Sequence, residues 1–241
     1  MRSIVSIASA PRLNCSPQPV REPPEPPLKR NHVLTLHDYL PSLNGWKIRV
    51  LLGHLGIPYR TKPVAIFSGG SRTEDFLTLN PVGAIPVLEL EDGRSLAESN
   101  AILVYLASGT RFLPVDRYLN ARVMQWLFFE QYYVEPAIGT LRFWTLTGRL
   151  ERNAGGMVDA RRETGARALA AMERTLRSAP FLVSDSLTIA DIAVYAYSHR
   201  AEDCGFALET YPGVSEWITR VAAQVGPGCP VHSYGAEALL T

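Results

Sequence analysis

The stretch NPVGAIPVLELEDGRSLAESNAI, residues 80–102, sets a proline at the mouth of an apolar run, an Asp-Gly turn behind it, and Glu98-Ser99 at the start of a helical pattern. Ser99 is suited to a helix N-cap, where unpaired backbone amides and the positive end of the helix dipole attract an anion such as a carboxylate. A second set of polar groups lies in YLPSLNGWK, residues 39–47, where Tyr39, Ser42 and Asn44 bring hydrogen-bond donors to the start of another helix. Donors so placed favour the ionised form of whatever acid sits among them. Lys47 reads as a solvated helix residue.

The elements that must position these groups follow from periodicity. VLTL, residues 33–36, has the character of a short strand. Residues 44–56 place Ile48, Leu51, Leu52 and Leu55 on one helix face, with Asn44 as N-cap and Gly56 at the left-handed end. IPYRTKPV continues as an extended segment whose Lys62 and Pro63 suit an exposed sheet edge. SRTEDFLTLNP predicts a short helix with a Ser71–Glu74 capping box. IPVLEL and RSLA flank an Asp-Gly hairpin in which both turn residues take positive φ, and SNAILVYLASG closes the unit as a helix. The order βαβ-α-ββα is that of a thioredoxin-like domain.

Beyond the linker TRFLPVD, strand patterns give way to helical ones at about 116–147, 157–178, 188–203 and 212–225. In SLTIADIAVYAY, Thr188 and Asp191 form a capping box with Leu187 stapled to Ile192, a folding motif rather than a catalytic one. The chain therefore divides into a proline-rich disordered tail (1–31), a thioredoxin-like domain (32–109), a linker (110–116), an all-helical domain (117–226) and a mobile extension (227–241) able to fold back over the pocket.

Bulk properties exclude several functions. The sequence has 24 basic against 23 acidic residues and no Lys/Arg-rich run, so nucleic acid is not an expected partner. Cys15, Cys204 and Cys229 lie far apart and the five histidines are scattered, so no metal is expected and a reducing cytoplasm fits. No apolar stretch reaches the length needed to cross a membrane.

GAIPVLELEDGRSLAESNAILVYL followed by LTIADIAVYAY resembles the cytosolic glutathione transferases over residues 33–225. The resemblance implies a detoxifying enzyme, a homodimer, in which the first domain binds glutathione and the helical domain supplies a site for a hydrophobic electrophile. It implies a cis bond at Ile85-Pro86, a geometry within reach because X–Pro alone adopts cis at a cost of about 0.5–1 kcal/mol. That bend turns the N–H and C=O of Ile85 outward as an edge to which the cysteinyl backbone of glutathione can add. Ser99 then meets the γ-glutamyl carboxylate and Glu98 the ammonium. Lys62 and Arg72 are the candidates for the glycyl carboxylate; the family's frequent basic residue before Ile-Pro is here Ala84.

The Ser-x-Asn-x-x-Lys arrangement of Ser42, Asn44 and Lys47 resembles the bacterial serine, threonine or asparagine types of the family, the nu-like group included. It makes Ser42 the first choice for the sulfur contact, Asn44 the second and Tyr39 the third. With no cysteine between Cys15 and Cys204, designs that place a cysteine in this loop are excluded. In NARVMQWLFFEQYYV and beyond, Phe129, Tyr132, Tyr133 and Trp144 are candidates for lining the electrophile site. The expected reaction is conjugation of the thiolate to an electrophilic carbon. Glutathione-dependent disulfide reduction without a catalytic cysteine is the alternative, and a non-catalytic module that docks partners is a third reading.

Overall fold

The computed structural model describes residues 33–153, 155–226 and 228–239; the tail at 1–31 lies outside them. Four strands, β1 (Leu34–Asp38), β2 (Tyr59–Pro63), β3 (Val87–Glu89) and β4 (Ser95–Leu96), form one sheet in the order β2-β1-β3-β4. β1 runs parallel to β2 and antiparallel to β3, with Leu36 opposite Leu88. Lys62 and Pro63 are exposed on the edge strand β2. Alternation sorts β3 between two cores: Leu88 faces the main one, while Val87 joins Val64 and Phe76 in a smaller cluster beneath α2 (Glu74–Leu79).

Helices α1 (Leu43–Leu55) and α3 (Ser99–Ala107) pack against each other, and α1 also packs on α7 (Ile189–Ser198). That sandwich changes the expected single stripe of α1. Every residue from Gly45 to Leu52 is buried, Lys47 and Arg49 included, because neighbours cover the helix on more than one side. Trp46 stacks on Tyr195 and His199, both at 5.7 Å, and its Nε1 donates to Cys229 O at 2.8 Å.

Local caps differ from the sequence pattern in informative ways. Ser42, not Asn44, is the N-cap of α1, its Oγ accepting from Gly45 N at 3.4 Å, and Asn44 falls inside the first turn. Thr73 rather than Ser71 caps α2, its Oγ1 accepting from Phe76 N at 3.3 Å; Ser71 is buried in the preceding turn. Glu98, with φ 65°, is the N-cap of α3, which makes Ser99 its first helical residue. In the hairpin only Gly93 is left-handed (φ 82°). Asp92 contributes acceptors instead, taking Arg94 N at 3.0 Å. The Ile85–Pro86 peptide bond is cis.

The second unit begins with one long helical run: α4 (Arg117–Phe129), a π-helical segment (Glu130–Gly139) and α5 (Thr140–Leu146). The wider π turns absorb Pro136, which has no N–H to give to an ordinary helical ladder. Next come α6 (Met157–Leu176), α7 and α8 (Pro212–Val225). At the start of α7 the capping box is present and embedded in a larger hub. Asp191, fully buried, also accepts from Leu182 N at 2.9 Å and Trp217 Nε1 at 3.0 Å, tying α7 to α8 and to the loop before it.

His199 stacks on Tyr195 at 4.2 Å and its Nδ1–H donates to Tyr195 O at 2.7 Å. Burial lowers its pKa from the ordinary 6.5 to about 4. The unfolded chain thus takes up this proton first, so the stability His199 contributes is full above about pH 6.5 and is lost as pH falls towards 4. Urea unfolding followed across that window should show a smaller loss of stability in a His199→Phe variant than in the wild type.

Candidate functional site

A cavity of about 280 Å³ opens between the start of α1 and the helical unit. Tyr39, Ser42, Asn44 and Ile85 line one side of it, and Glu135, Thr140, Phe143 and Tyr197 the other. Gly139 belongs to that second wall for a steric reason: a Cβ there would lie 2.8 Å from Cε1 of Tyr197, so only glycine lets the π segment approach α7 this closely.

Ser42 uses its oxygen to cap Gly45, and among the described residues its proton has no acceptor. Asn44 Oδ1 accepts from Ser99 Oγ at 3.2 Å, leaving its amide NH₂ free of protein partners among those residues. Ser99 is itself buried, one hydrogen bond behind Asn44 rather than on the cavity wall. Likewise, neither the N–H nor the C=O of Ile85 has a hydrogen-bond partner among the described residues.

Behind these groups stands a buried ion pair that the sequence pattern did not indicate. Lys47 is fully buried, not solvated, and donates to Glu130 Oε1 at 2.8 Å and to Ser99 Oγ at 3.4 Å. Glu130, also fully buried, takes Asn100 Nδ2 on its other oxygen at 2.8 Å. The spacing Ser-x-Asn-x-x-Lys was the available signal. Three elements converge on Lys47, and residue type alone does not reveal that.

Of the other sequence candidates, only Tyr39 reaches the cavity. Tyr39 lines it, but its hydroxyl donates to Glu237 Oε1 at 2.8 Å, and burial together with that carboxylate pushes its pKa up to about 12. Glu98 is exposed and lines a separate groove with Val104 and Phe128. Lys62 stays on the outer strand, and Arg72 donates to Val82 O at 2.7 Å; neither lines the cavity. Phe129, Tyr132 and Tyr133 turn to an outer groove, and Trp144 packs under Arg161, whose guanidinium lies 5.0 Å from the ring.

The aromatic wall is made instead by Phe67, Phe143, Tyr197 and Tyr234. Tyr234 comes from the C-terminal extension. That segment folds back: Tyr234 stacks on Tyr39 at 6.3 Å and meets Phe143 edge-on at 5.6 Å, while Ala238 is fully buried. Among the described residues no group of three or more His, Cys, Asp or Glu could hold a metal ion, and no helix is long and apolar enough to cross a membrane.

Comparison with known proteins places this geometry. Residues 41–108 match the N-terminal domain of glutathione S-transferases and residues 157–220 their C-terminal domain. A glutathione S-transferase from Pseudomonas fluorescens is similar at 45% identity, over 81% of this chain and 96% of that one, with a TM-score of 0.77. A glutathione transferase from Burkholderia graminis, solved with two glutathione molecules bound per subunit, is 28% identical over 78% of this chain and 82% of its own, with a TM-score of 0.67. The disulfide-bond oxidoreductase YfcG of Escherichia coli K12 is 29% identical over 203 residues, covering 79% of this chain and 91% of that protein.

Proposed function

Because the chain belongs to the glutathione S-transferase family, we propose that it binds glutathione at the start of α1 and directs its thiolate at an electrophilic carbon. The observation that carries this reading is the meeting of Ser42, Asn44 and Ile85 in one cavity, with Ser99 hydrogen-bonded to Asn44. The open N–H and C=O of Ile85 receive the cysteinyl backbone as an added strand. Amides at the start of α3 take the γ-glutamyl carboxylate, with the Ser99 hydroxyl exchanging its bond to Asn44 for the ligand, and Glu98, the N-cap of the same helix, takes the ammonium. Arg72, fixed against Val82 in the loop leading to Ile85, takes the glycyl carboxylate, with Lys62 as the second candidate.

A free thiol titrates near pH 8.5, so little thiolate exists at neutrality. The Ser42 hydroxyl and the Asn44 amide, at the positive end of α1, favour the ionised sulfur. The thiol proton leaves to solvent, the sulfur forms a bond to the electrophilic carbon, and the leaving group departs with its electron pair. The acceptor lies against Phe67, Phe143, Tyr197 and Tyr234. We assign the outer face bearing Phe128 and Tyr132, 68% and 73% exposed, to a second copy of the chain in a homodimer.

The likeness to a disulfide-bond oxidoreductase supports a second reading, attack of the same thiolate on a disulfide. No cysteine among the described residues lines the cavity, and burial pushes the Cys204 thiol up to about 12, so glutathione itself supplies the attacking sulfur. Turnover of an aryl halide compared with that of a small disulfide separates the two. Binding is tested through Ser99. Ser99→Ala is expected to weaken glutathione binding by about 1–3 kcal/mol, the loss of one hydrogen bond to a charged group. Calorimetry giving the wild-type dissociation constant in that variant removes Ser99 from the site.

A further inference from the structure

The helical wall of the cavity holds one group that the proposed reaction does not use. Glu135, Gly139 and Phe143 recur every four residues through the π segment into α5 and face the cavity together. Among the described residues that line it, Glu135 is the one charged residue, and none is a lysine, arginine or histidine. Its carboxylate makes no hydrogen bond and no ion pair among the described residues, whereas Glu130, five positions earlier on the same segment, is held by Lys47 and Asn100.

The charges acting on Glu135 do not supply a partner. Burial and then Glu130 push its carboxyl above the usual range, with Glu98 adding to this; Lys47 and Arg161 pull the other way. Both cations are engaged elsewhere, Lys47 with Glu130 at 2.8 Å, and Arg161 with the carbonyl of Pro136 and the ring of Trp144. Around the cavity Glu135 shares the wall with rings and hydroxyls: Tyr197, Tyr234, Phe143 and Thr140. A carboxylate in such a wall is costly to cover with an apolar or anionic ligand, since its water would be stripped without replacement. A ligand bearing an N–H donor or a positive charge replaces that water with a direct contact.

We propose that Glu135 is a specificity-determining residue that selects acceptor substrates carrying an ammonium, amidinium or similar N–H cation beside the electrophilic carbon. This rests on the reading above, in which the helical wall receives the acceptor. The same N–H chemistry is also present in the ammonium of glutathione, so the test must separate the two sources.

The probes are 4-methylbenzylammonium and 4-methylbenzoate, unreactive and matched in shape, titrated calorimetrically into the wild type, Glu135→Gln and Glu135→Asp, with glutathione titrated in parallel. The wild type is expected to bind the cation at least about tenfold more tightly than the anion, the scale of one hydrogen bond to a charged group. The glutamine variant is expected to lose this preference and the aspartate variant to retain part of it, with glutathione affinity unchanged in both. Equal binding of the two probes by the wild type overturns the proposal whatever the stability of the variants. So does a preference that survives in Glu135→Gln, or a variant that loses glutathione affinity while keeping its preference, since Glu135 would then serve the peptide's ammonium. A wild type that prefers the cation through Glu135 yet binds no glutathione keeps the cation site and removes the glutathione reading instead.

Discussion

Replacing Glu130 by alanine is expected to destabilise the protein by about 3–5 kcal/mol, because the change leaves the Lys47 ammonium buried without its counter-charge. Both side chains are fully buried, and Asn100 Nδ2 loses an acceptor at the same time. The cost arises from stranding one partner, not from the strength of the pair. A Lys47→Met/Glu130→Leu double variant, which removes both charges and fills the space with apolar volume, should therefore regain most of the loss. Urea unfolding at neutral pH of the wild type, Glu130→Ala and the double variant checks both statements. A Glu130→Ala protein within about 1 kcal/mol of wild type would show that Lys47 finds another partner or water. Function should follow in part. Lys47 also holds Ser99, which holds Asn44, so the double variant is expected to be stable but to bind glutathione less well.

Ser42→Ala is expected to raise the pKa of the bound glutathione thiol by about one to two units, the equivalent of one hydrogen bond to a charged group. At a pH below both pKa values the thiolate population, and with it the rate, falls by roughly ten- to a hundredfold. The difference should close at high pH, where the thiol ionises unaided. Ser42 also caps α1 through Gly45 N, so alanine lowers stability as well, by about 0.5–2 kcal/mol. Loss of the cap does not move the midpoint of a pH–rate profile, whereas loss of a sulfur contact does. Ser42→Thr, which keeps the hydroxyl, should restore the wild-type midpoint. An alanine variant with an unshifted midpoint passes the role to Asn44, whose side-chain amide is also without a partner among the described residues.

Most of the fold was legible because its signals are local. Gly56 ends α1 in the left-handed region and Thr188 with Asp191 opens α7; both are set by backbone chemistry within a few residues. Two of the strand pairings follow from the same kind of signal, a hairpin turn joining β3 to β4 and a helix joining β1 to β2, whereas β1 meets β3 through a long-range pairing.

The site was less legible, since its members meet through packing. Lys47 looks solvated by type, and only the convergence of α1, α3 and the π segment buries it. The aromatic assignments rested on residue type and on the resemblance. The cavity takes Glu135, Gly139 and Phe143 from this run, while Tyr132 and Phe129 line an outer groove. Tyr234 lies in an extension with no periodicity at all, yet it closes the cavity beside Tyr39.

The ionisation of glutathione on the wild-type protein tests the central claim most directly. Ultraviolet absorbance of the thiolate, followed against pH at saturating protein, is expected to give a bound-thiol pKa about two units below that of the free peptide. A titration that coincides with free glutathione, or no saturable binding at all, would contradict the assignment of this cavity as the place where the sulfur is held.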